Sequence, residues 1–415
     1  MKTVTEIGRL TKAAKTDIAK LSKKEKNTLL LKIADAVEAN TAAILAANEV
    51  DMANAAANGM NPSLQDRLLL NASRVSAMAN AVRHVASLPD PVGEVLGGSE
   101  LENGLQIKKV RVPLGVVAMI FEARPNVSLD AASLCLKTGN CVILKGGSAA
   151  ANSNKAIIDT LRSVLVAEGL NPDMVSLVED NSREATTQLM KLNEYVDVLI
   201  PRGGASLINA VVQNATVPVI ETGTGNCHIY VEQTADFDMA LDIAYNAKCS
   251  RPSVCNAAES FLVDRAIARE FLPLLAKKLS DPYVTLYGCE EAVAILGDRA
   301  LAADEQDFYT EYLDYTASIK IVENYEEAIA HIEKHSTHHS ECIVTSSLQA
   351  AEAFTAGVDS AAVYVNASTR FTDGGEFGMG AEIGISTQKL HARGPMGLAE
   401  LTTYKYIING KGQIR

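Results

Sequence analysis

The chain has 415 residues, more than a single hydrophobic core of about 250–300 residues usually holds, so the sequence predicts at least two domains. Its composition, 47% hydrophobic and 21% charged, is typical of a soluble globular protein. The formal net charge of −12 disfavours nucleic acid or an anionic membrane as a partner. Seven cysteines without a C-x-x-C pair favour free thiols, and we expect a cytoplasmic protein.

In the N-terminal part of the chain, a helical pattern of apolar residues gives way to a strand pattern after residue 88. Residues 1–88 carry apolar side chains at helical spacing and are rich in Ala, Leu, Lys and Glu, which predicts helices. Prolines and glycines interrupt this pattern in "LPDPVGEVLGG" (88–98). The following "LENGLQIKKVRVPLG" predicts a pair of strands around a turn at Asn103-Gly104.

From residue 115 onward, apolar strands alternate with helices. The run "GVVAMIF" (115–121) is typical of a strand buried on both faces. Later strands in "NCVILKG" and "VDVLIPRGG" are each preceded by a helical segment, which predicts a parallel sheet. A second block of the same kind starts near residue 222, and the tail "LAELTTYKYIINGK" predicts one more strand. A nucleotide would bind at the carboxyl ends of such strands, near helix N-termini.

One cysteine stands in a setting that suits a nucleophile. In "SRPSVCNAAE" (250–259), Cys255 follows a turn broken by proline and lies near Arg251, whose charge would favour the thiolate. A buried, inert thiol is the alternative, and Cys249 is the nearest rival.

Three other segments are candidates for chemistry. In "ETGTGNCHIYV" (221–231), Glu221 is either a general base or part of a surface turn. In "VILKGGSAAANSNK" (142–155), Lys145 ends a strand before two glycines and a helix, which suits a phosphate or ribose. The histidines of "HIEKHSTHH" (331–339) lack a partner at ligand spacing, so no metal site is predicted.

The order of the segments resembles the aldehyde dehydrogenase superfamily over nearly the whole chain. The order is "VPLGVVAMI", "VILKGGSAA", "IPRGGASLI", "ETGTGNCHIYV", the cysteine loop and "STRFTDGGEFGMGAEIG". The resemblance implies an α/β fold with two Rossmann-type parallel-sheet domains and a small β oligomerisation flap. It implies an NADP-binding domain at 1–225, a catalytic domain with Cys255 at 226–390 and an oligomerisation strand at 391–415. Strands near 100–112 would join the flap.

Within the superfamily, "FEARPNV", "SRPSVCNAAE" and "KLHARGPMGL" are similar to motifs of the branch that reduces an acyl phosphate of glutamate. The resemblance implies an NADPH-dependent oxidoreductase that converts L-glutamate 5-phosphate to L-glutamate 5-semialdehyde and phosphate through a thioester on Cys255. That reaction is a step of proline biosynthesis. Three alternatives stay open: another semialdehyde dehydrogenase of the superfamily, a cofactor-free cysteine acyltransferase, and a catalytically silent scaffold on this fold, which the intact Cys255 loop and Lys145 turn disfavour. No histidine lies near Cys255 in sequence, which disfavours the second.

The resemblance also implies the catalytic residues. Cys255 would attack the acyl carbon, and Asn126 would donate a hydrogen bond to the carbonyl oxygen as it gains charge. An ungapped alignment puts Arg124 at the family's asparagine position, and we prefer Asn126, two places on. Glu221 matches the carboxylate that activates water in hydrolytic members, but here it would tune the thiol or handle the thiohemiacetal proton.

The resemblance implies seven residues that would contact the ribose, pyrophosphate and nicotinamide parts of NADPH. They are Lys145, Gly146, Ser148, Arg202, Gly203, Gly204 and Glu311. NAD-preferring relatives carry an acidic residue three places after the lysine, where it holds the 2′-hydroxyl. This chain has Ser148 there, so no carboxylate repels a 2′-phosphate, which favours NADP.

Three arginines are predicted to bind the substrate's phosphate and α-carboxylate: Arg124, Arg251 and Arg393. A guanidinium fork suits both anions, and structural salt bridges are the alternative for each arginine. As partners we predict the substrate, other copies of the chain in a dimer or tetramer, and the glutamate kinase that makes the substrate. No nucleic acid or membrane partner is predicted.

Overall fold

The computed structural model describes residues 2–415, apart from the side chains of Pro62 and Ser63. The α-helices, in chain order, are α1 (Val4–Ile18), α2 (Lys23–Ala39), α3 (Thr41–Ala57), α4 (Pro62–Leu68), α5 (Ala72–Ser87), α6 (Asn126–Lys137), α7 (Ala151–Ala167), α8 (Arg183–Met190), α9 (Ala205–Asn214), α10 (Phe237–Cys249), α11 (Arg265–Lys278), α12 (Glu290–Leu296), α13 (Tyr325–His335) and α14 (Leu348–Gly357). Within the described residues, no helix is both long enough and apolar enough to cross a membrane.

The strands, in chain order, are β1 (Val95–Glu100), β2 (Gln106–Pro113), β3 (Val116–Phe121), β4 (Cys141–Gly146), β5 (Val175–Leu177), β6 (Val198–Arg202), β7 (Cys227–Val231), β8 (Ala258–Asp264), β9 (Thr285–Gly288), β10 (Ala300–Ala302), β11 (Thr316–Val322), β12 (Ser340–Val344), β13 (Ala362–Val365), β14 (Gly384–Ser386), β15 (Gly394–Met396) and β16 (Thr402–Asn409). The chain forms two compact units. The first runs to Thr222 and adds Met379–Gly384 and Met396–Arg415, and the second comprises Gly223–Gly378 and Ile385–Pro395.

The first unit is built on a four-stranded sheet in the order β5-β4-β3-β6. All its pairings are parallel, as the alternation of strands and helices predicts. Every residue of β3 and β4 is buried, which explains why both read as continuous apolar runs. Because the strands are parallel, the loops that follow β3, β4 and β6 meet at one edge, and they carry Glu122, Gly147 and Gly203.

The helices predicted over 1–88 are present as α1 to α5. A local signal fixes where α2 begins. The side chain of Ser22 accepts a hydrogen bond from the Glu25 N–H, and the Glu25 carboxylate accepts one from the Ser22 N–H. This reciprocal capping satisfies two backbone donors at the start of α2.

An antiparallel sheet of three strands, β1-β2-β16, also belongs to the first unit. The predicted turn at Asn103-Gly104 joins β1 to β2, and Gly104 has a φ of +83° there. Strand β2 pairs with β16 along its whole length. Most of β16 is exposed, including 58% of both Tyr406 and Ile408. Its role in oligomerisation stays a prediction.

The second unit is built on a seven-stranded parallel sheet in the order β10-β9-β11-β8-β7-β12-β13. Successive side chains of β7 face opposite layers, as the pleat requires. Ile229 and Val231 pack against α10, α11 and α12, whereas Tyr230 packs against α13 and α14. The sheet is therefore covered by helices on both faces, as expected for a Rossmann-type domain.

The cysteine loop lies at the amino edge of this second sheet. Cys255 comes three residues before β8, and Gly225 comes two residues before β7. These two strands pair in parallel, so the loops that precede them lie side by side.

Candidate active site

Exposure separates Cys255 from most of the other thiols. Among the cysteines of the described chain, only Cys255 and Cys289 are partly exposed. Cys249, the rival by sequence, is buried at the end of α10, and burial raises the pKa of its thiol to about 11. Burial likewise raises the pKa of Cys141 and Cys342 to about 12. Such thiols carry almost no thiolate at neutral pH and are poor nucleophiles.

Cys289 occupies the N-cap position of α12. A helix N-terminus stabilises a thiolate, but Glu290 and Glu291 follow directly in the first turn and already place negative charge there. Cys255 has a different environment, since Arg251 and Arg370 interact with each other beside it. The local charges therefore favour a nucleophilic thiolate at Cys255.

Gly225 fixes the backbone of the nucleophile. A Cβ atom on this glycine would overlap the carbonyl oxygen of Cys255, so no larger residue fits without moving the loop. The Gly225 N–H donates to Oε1 of Glu311 over 2.7 Å, and the Cys227 thiol donates to the Cys255 carbonyl over 3.2 Å. Gly225 therefore contacts the backbone of Cys255 and also donates a hydrogen bond to Glu311. Gly225 was not among the residues predicted for the site, because its role depends on a contact with a distant segment of the chain.

Glu311 follows the short turn Gln306–Tyr309 and sits close to a second buried carboxylate. Burial raises the pKa of Glu311, whereas the Gly225 N–H and the Lys248 charge oppose that rise. Lys248 is itself fully buried and pairs with Glu259 at 2.5 Å. Burial raises the pKa of Glu259 and lowers that of Lys248, and their attraction opposes both shifts. This pair links α10 to β8 on either side of the cysteine loop.

The histidine-rich segment 331–339 supports the neighbouring loop before β7, which carries Gly225 and Asn226. The side-chain amide of Asn226 donates to the carbonyls of Phe308 (2.7 Å) and His335 (2.9 Å). The rings of His331 and His335 stack with centroids 4.0 Å apart, and burial lowers the pKa of His331 to about 2. Within residues 2–415, no group of three or more His, Cys, Asp or Glu is arranged to hold a metal ion. We interpret these histidines as packing residues.

Around β4, the first unit carries the residues predicted for the adenosine ribose. Lys145 is buried and donates to the Gly146 carbonyl over 3.0 Å. Burial lowers its pKa, and the charge of Asp180 opposes that shift. Ser148 is exposed at the start of the next helical turn. A cavity of the first unit is lined by Gly146, Gly147 and Asn154, among others.

Beyond β6, the first unit carries the residues predicted for the pyrophosphate. Gly204 is the N-cap of α9, and its N–H donates to Oε2 of Glu122 over 3.0 Å. A Cβ on Gly203 would lie 2.7 Å from the Glu122 carboxyl carbon. The guanidinium of Arg202 donates to the Ile383 carbonyl over 2.8 Å. A carboxylate thus already occupies this helix N-terminus, which the sequence analysis did not foresee.

Asn126 begins α6, and its side-chain amide donates to Oδ2 of Asp130 over 2.9 Å. Burial raises the pKa of Asp130 to about 6, while the bond from Asn126 and the charge of Arg202 oppose the rise. Two residues that were predicted for different roles, Asn126 and Arg202, therefore both act on the Asp130 carboxylate. Arg124 and Glu221 are both partly buried in the first unit. Arg124 lies in the loop after β3, and Glu221 lies directly before Thr222.

The two remaining predicted arginines differ in their surroundings. Arg393 is bound on two sides by Asp359: its guanidinium pairs with the carboxylate at 2.8 Å and donates to the carbonyl over 2.7 Å. Lys389 pairs with the same carboxylate. Arg251 is exposed beside the cysteine loop and interacts with Arg370. Of the two, Arg251 is the one whose charge acts near Cys255.

Comparison with known proteins identifies the family. A model of the aldehyde dehydrogenase family matches residues 2–286. A gamma-glutamyl phosphate reductase from Carboxydothermus hydrogenoformans is 55% identical over 415 residues, covering 100% of both chains. One from Enterococcus faecalis is 53% identical over 99% of this chain and 98% of that protein. The crystal structure of a gamma-glutamyl phosphate reductase from Thermotoga maritima matches all of both chains with a TM-score of 0.98 at 46% identity. The chain therefore belongs to the aldehyde dehydrogenase family, and within it to the gamma-glutamyl phosphate reductases.

Proposed function

We propose that this chain reduces L-glutamate 5-phosphate to L-glutamate 5-semialdehyde and phosphate with NADPH, a step of proline biosynthesis. The observation that carries the proposal is Cys255. It is a partly exposed thiol whose backbone Gly225 holds in place, in a chain more than half identical to proteins named for this reduction. The predicted contacts with other copies of the chain and with the glutamate kinase remain predictions.

In the reaction, the Cys255 thiolate attacks the acyl carbon. The bond between that carbon and the phosphate oxygen breaks, and phosphate leaves with the electron pair, so that a thioester remains. Covalent catalysis of this kind divides one difficult displacement into two easier steps. Phosphate is a good leaving group, and no water has to be activated. Water activated by Glu221 would hydrolyse the thioester and waste the substrate. Glu221 would instead tune the reactivity of the Cys255 thiol or transfer the thiohemiacetal proton.

Asn126 is the side chain that we assign to the substrate's carbonyl oxygen. A carboxamide carries two N–H donors, and the bond to Asp130 uses one of them. The other would stabilise the negative charge that develops as the thiolate attacks, an effect typically worth about 10²–10³ in rate. The bond to Asp130 holds the amide in one orientation and so makes this donor preorganised.

The residues of the β4 turn fit a nicotinamide dinucleotide. Asn154 is buried, and neither polar atom of its side chain has a hydrogen-bond partner among residues 2–415. It lies directly against Gly146, where a Cβ would overlap its amide nitrogen. An unpartnered buried amide is costly unless a ligand satisfies it. We therefore assign the adenosine end of the cofactor to Lys145, Gly146 and Ser148, and when bound the cofactor supplies the hydride that reduces the thioester.

Replacing Ser148 with glutamate should weaken NADPH binding far more than NADH binding. The new carboxylate would place like charge beside the 2′-phosphate, at a cost of about 1–3 kcal/mol in a partly screened site. Dissociation constants for both cofactors, measured by fluorescence titration, check this, with Ser148→Ala as the uncharged control. Equal losses for NADPH and NADH would show that Ser148 does not face the 2′ position.

The reverse reaction tests the function. Oxidation of glutamate 5-semialdehyde by NADP should depend on phosphate with saturation, because phosphate must take the acyl group from Cys255. Arsenate should replace phosphate, and sulfate at equal ionic strength should not. The measurement is NADPH formation together with product analysis. Rapid formation of glutamate without phosphate would contradict the proposal, since it would mean that the enzyme activates water as a hydrolytic aldehyde dehydrogenase does.

A further inference from the structure

Arg370 is tied to the residue that follows the nucleophile. Its guanidinium donates to Oδ1 of Asn256 and, over 3.1 Å, to the hydroxyl of Ser250. In return, the Asn256 amide donates to the carbonyls of Arg370 (3.3 Å) and Thr372 (2.9 Å). The Thr369 hydroxyl donates to the Asn256 carbonyl over 2.7 Å. Several hydrogen bonds therefore join the segment around Arg370 to the cysteine loop.

The charge of Arg251 acts on Arg370, and Arg370 bonds to Ser250, the residue that precedes Arg251. Burial lowers the pKa of Arg370, the charge of Arg251 lowers it further, and Cys255 and Asp373 oppose both effects. Among residues 2–415, neither Arg251 nor Arg370 forms an ion pair with a carboxylate, in contrast to Arg393 with Asp359. Because neither guanidinium is ion-paired, Asp373 and Cys255 only partly offset the repulsion between the two like charges. Binding of a dianion would relieve that repulsion.

We infer that Arg370, together with Arg251, binds the phosphate group of the acyl phosphate and holds it as it leaves. The inference rests on the proposed function and adds a residue to it. A planar guanidinium matches two oxygens of a phosphate, and a fork of five N–H donors can hold Asn256, Ser250 and an oxyanion together. Arg370 lies in "STRFTDGG", far along the chain from Cys255, so its position in the sequence does not mark it as a site residue.

The position beside the thiol favours the phosphate over the α-carboxylate. In L-glutamate 5-phosphate, the phosphorus is two bonds from the acyl carbon that sulfur attacks, whereas the α-carboxylate carbon is four bonds away. Arg370 is fixed to Asn256, the neighbour of Cys255, and it interacts with the thiol. It can therefore hold the group that must lie next to the reacting carbon.

The chemistry gives the pair a role in both directions. In reduction, sulfur bonds to the acyl carbon and the carbon–oxygen bond to phosphate breaks, so charge grows on that oxygen, where the guanidinium N–H groups stabilise it. In oxidation, the same groups position inorganic phosphate to attack the thioester, and the thiolate leaves. These acyl-transfer steps need no further reactant, and the nicotinamide cofactor donates or accepts the hydride in a separate step.

Arg370→Gln and Arg251→Gln test the inference, with Arg370→Lys as the conservative variant. In phosphate-dependent semialdehyde oxidation, the two Gln variants should raise the KM for phosphate about 10–100-fold, as expected for lost bonds to a charged group, with the KM for NADP unchanged. Arg370→Lys should lie between wild type and Arg370→Gln. Arg265→Gln is the matched control, because that exposed arginine of the second unit forms ion pairs with Glu291 and Glu323.

A second readout does not need turnover. Inorganic phosphate should slow the alkylation of Cys255 by iodoacetamide in wild type and in Arg265→Gln, with saturation, and this protection should be lost in both Gln variants. If Arg370→Gln does not fold, Arg251→Gln alone tests the inference. Arg251 is exposed and is not one of the residues that hydrogen-bond to Asn256, so its replacement should not affect folding.

Unchanged phosphate KM and unchanged protection in the variants would overturn the inference. So would a rise in the KM for the semialdehyde alone, which would assign the pair to the α-carboxylate. A wild-type enzyme that needs no phosphate would instead contradict the proposed function itself.

Discussion

Cys255→Ala should reduce turnover in both directions below about 10⁻³ of wild type, because no other group can form the thioester. The thiol is small and partly exposed, so the free energy of unfolding should change by less than about 1 kcal/mol. NADPH binding should persist. Initial rates with glutamyl phosphate and with the semialdehyde, alongside thermal unfolding and cofactor titration, measure all three quantities.

The control for this experiment is Cys289→Ala, which removes the other partly exposed thiol among the described residues. It should leave both rates close to wild type. A Cys255→Ala enzyme that kept a tenth of normal activity would show that another residue is the nucleophile, and loss of activity in Cys289→Ala would point to α12 as the place to look.

Gly225→Ala should lower kcat by about 10²-fold or more, since a displacement of about 1 Å at a reacting group can cost that much. The added methyl group would overlap the Cys255 carbonyl oxygen, and the cysteine loop would have to move. The variant keeps the backbone N–H that donates to Glu311. A fall in kcat would therefore report the close approach of residue 225 to the Cys255 carbonyl and not the loss of that hydrogen bond. Single-turnover rates and the alkylation rate of Cys255 measure it directly.

Gly97→Ala is the matched control for Gly225→Ala. Among the described residues other than its chain neighbours, no atom lies within 4 Å of the position its Cβ would take, and every residue of β1 is exposed. Its effect on stability should stay within about 0.5 kcal/mol and its kcat should be unchanged. If Gly225→Ala behaved in the same way, the loop would be free to adjust, and the backbone of Cys255 would not be fixed by this contact.

The sequence predicted most of the fold because its signals are local. Strands β3 and β4 are buried on both faces, so their apolar runs are continuous and stand out without any knowledge of the partner strands. The pairing of β2 with β16 joins residues about 300 positions apart. No periodicity contains that information, and here only the resemblance to the family supplied it.

The parts of the site that escaped sequence analysis are contacts between distant segments. Gly225 matters because its backbone meets that of Cys255, and Glu122 because its carboxylate reaches the N-terminus of α9. Residue type alone does not distinguish Arg393 from Arg370. Their difference lies in their neighbours, since Asp359 neutralises the first and Arg251 repels the second.

The central claim is that the acyl group rests on Cys255, and trapping that species tests it most directly. Enzyme, NADP and glutamate 5-semialdehyde are mixed without phosphate and quenched rapidly in acid, where the α-amino group is protonated and cannot attack the thioester. Mass spectrometry should find one glutamyl group per chain, on the peptide that contains Cys255, and it should disappear when phosphate is added before the quench. An unmodified Cys255 after one equivalent of NADPH has formed, or a glutamyl group on another residue, would contradict the account.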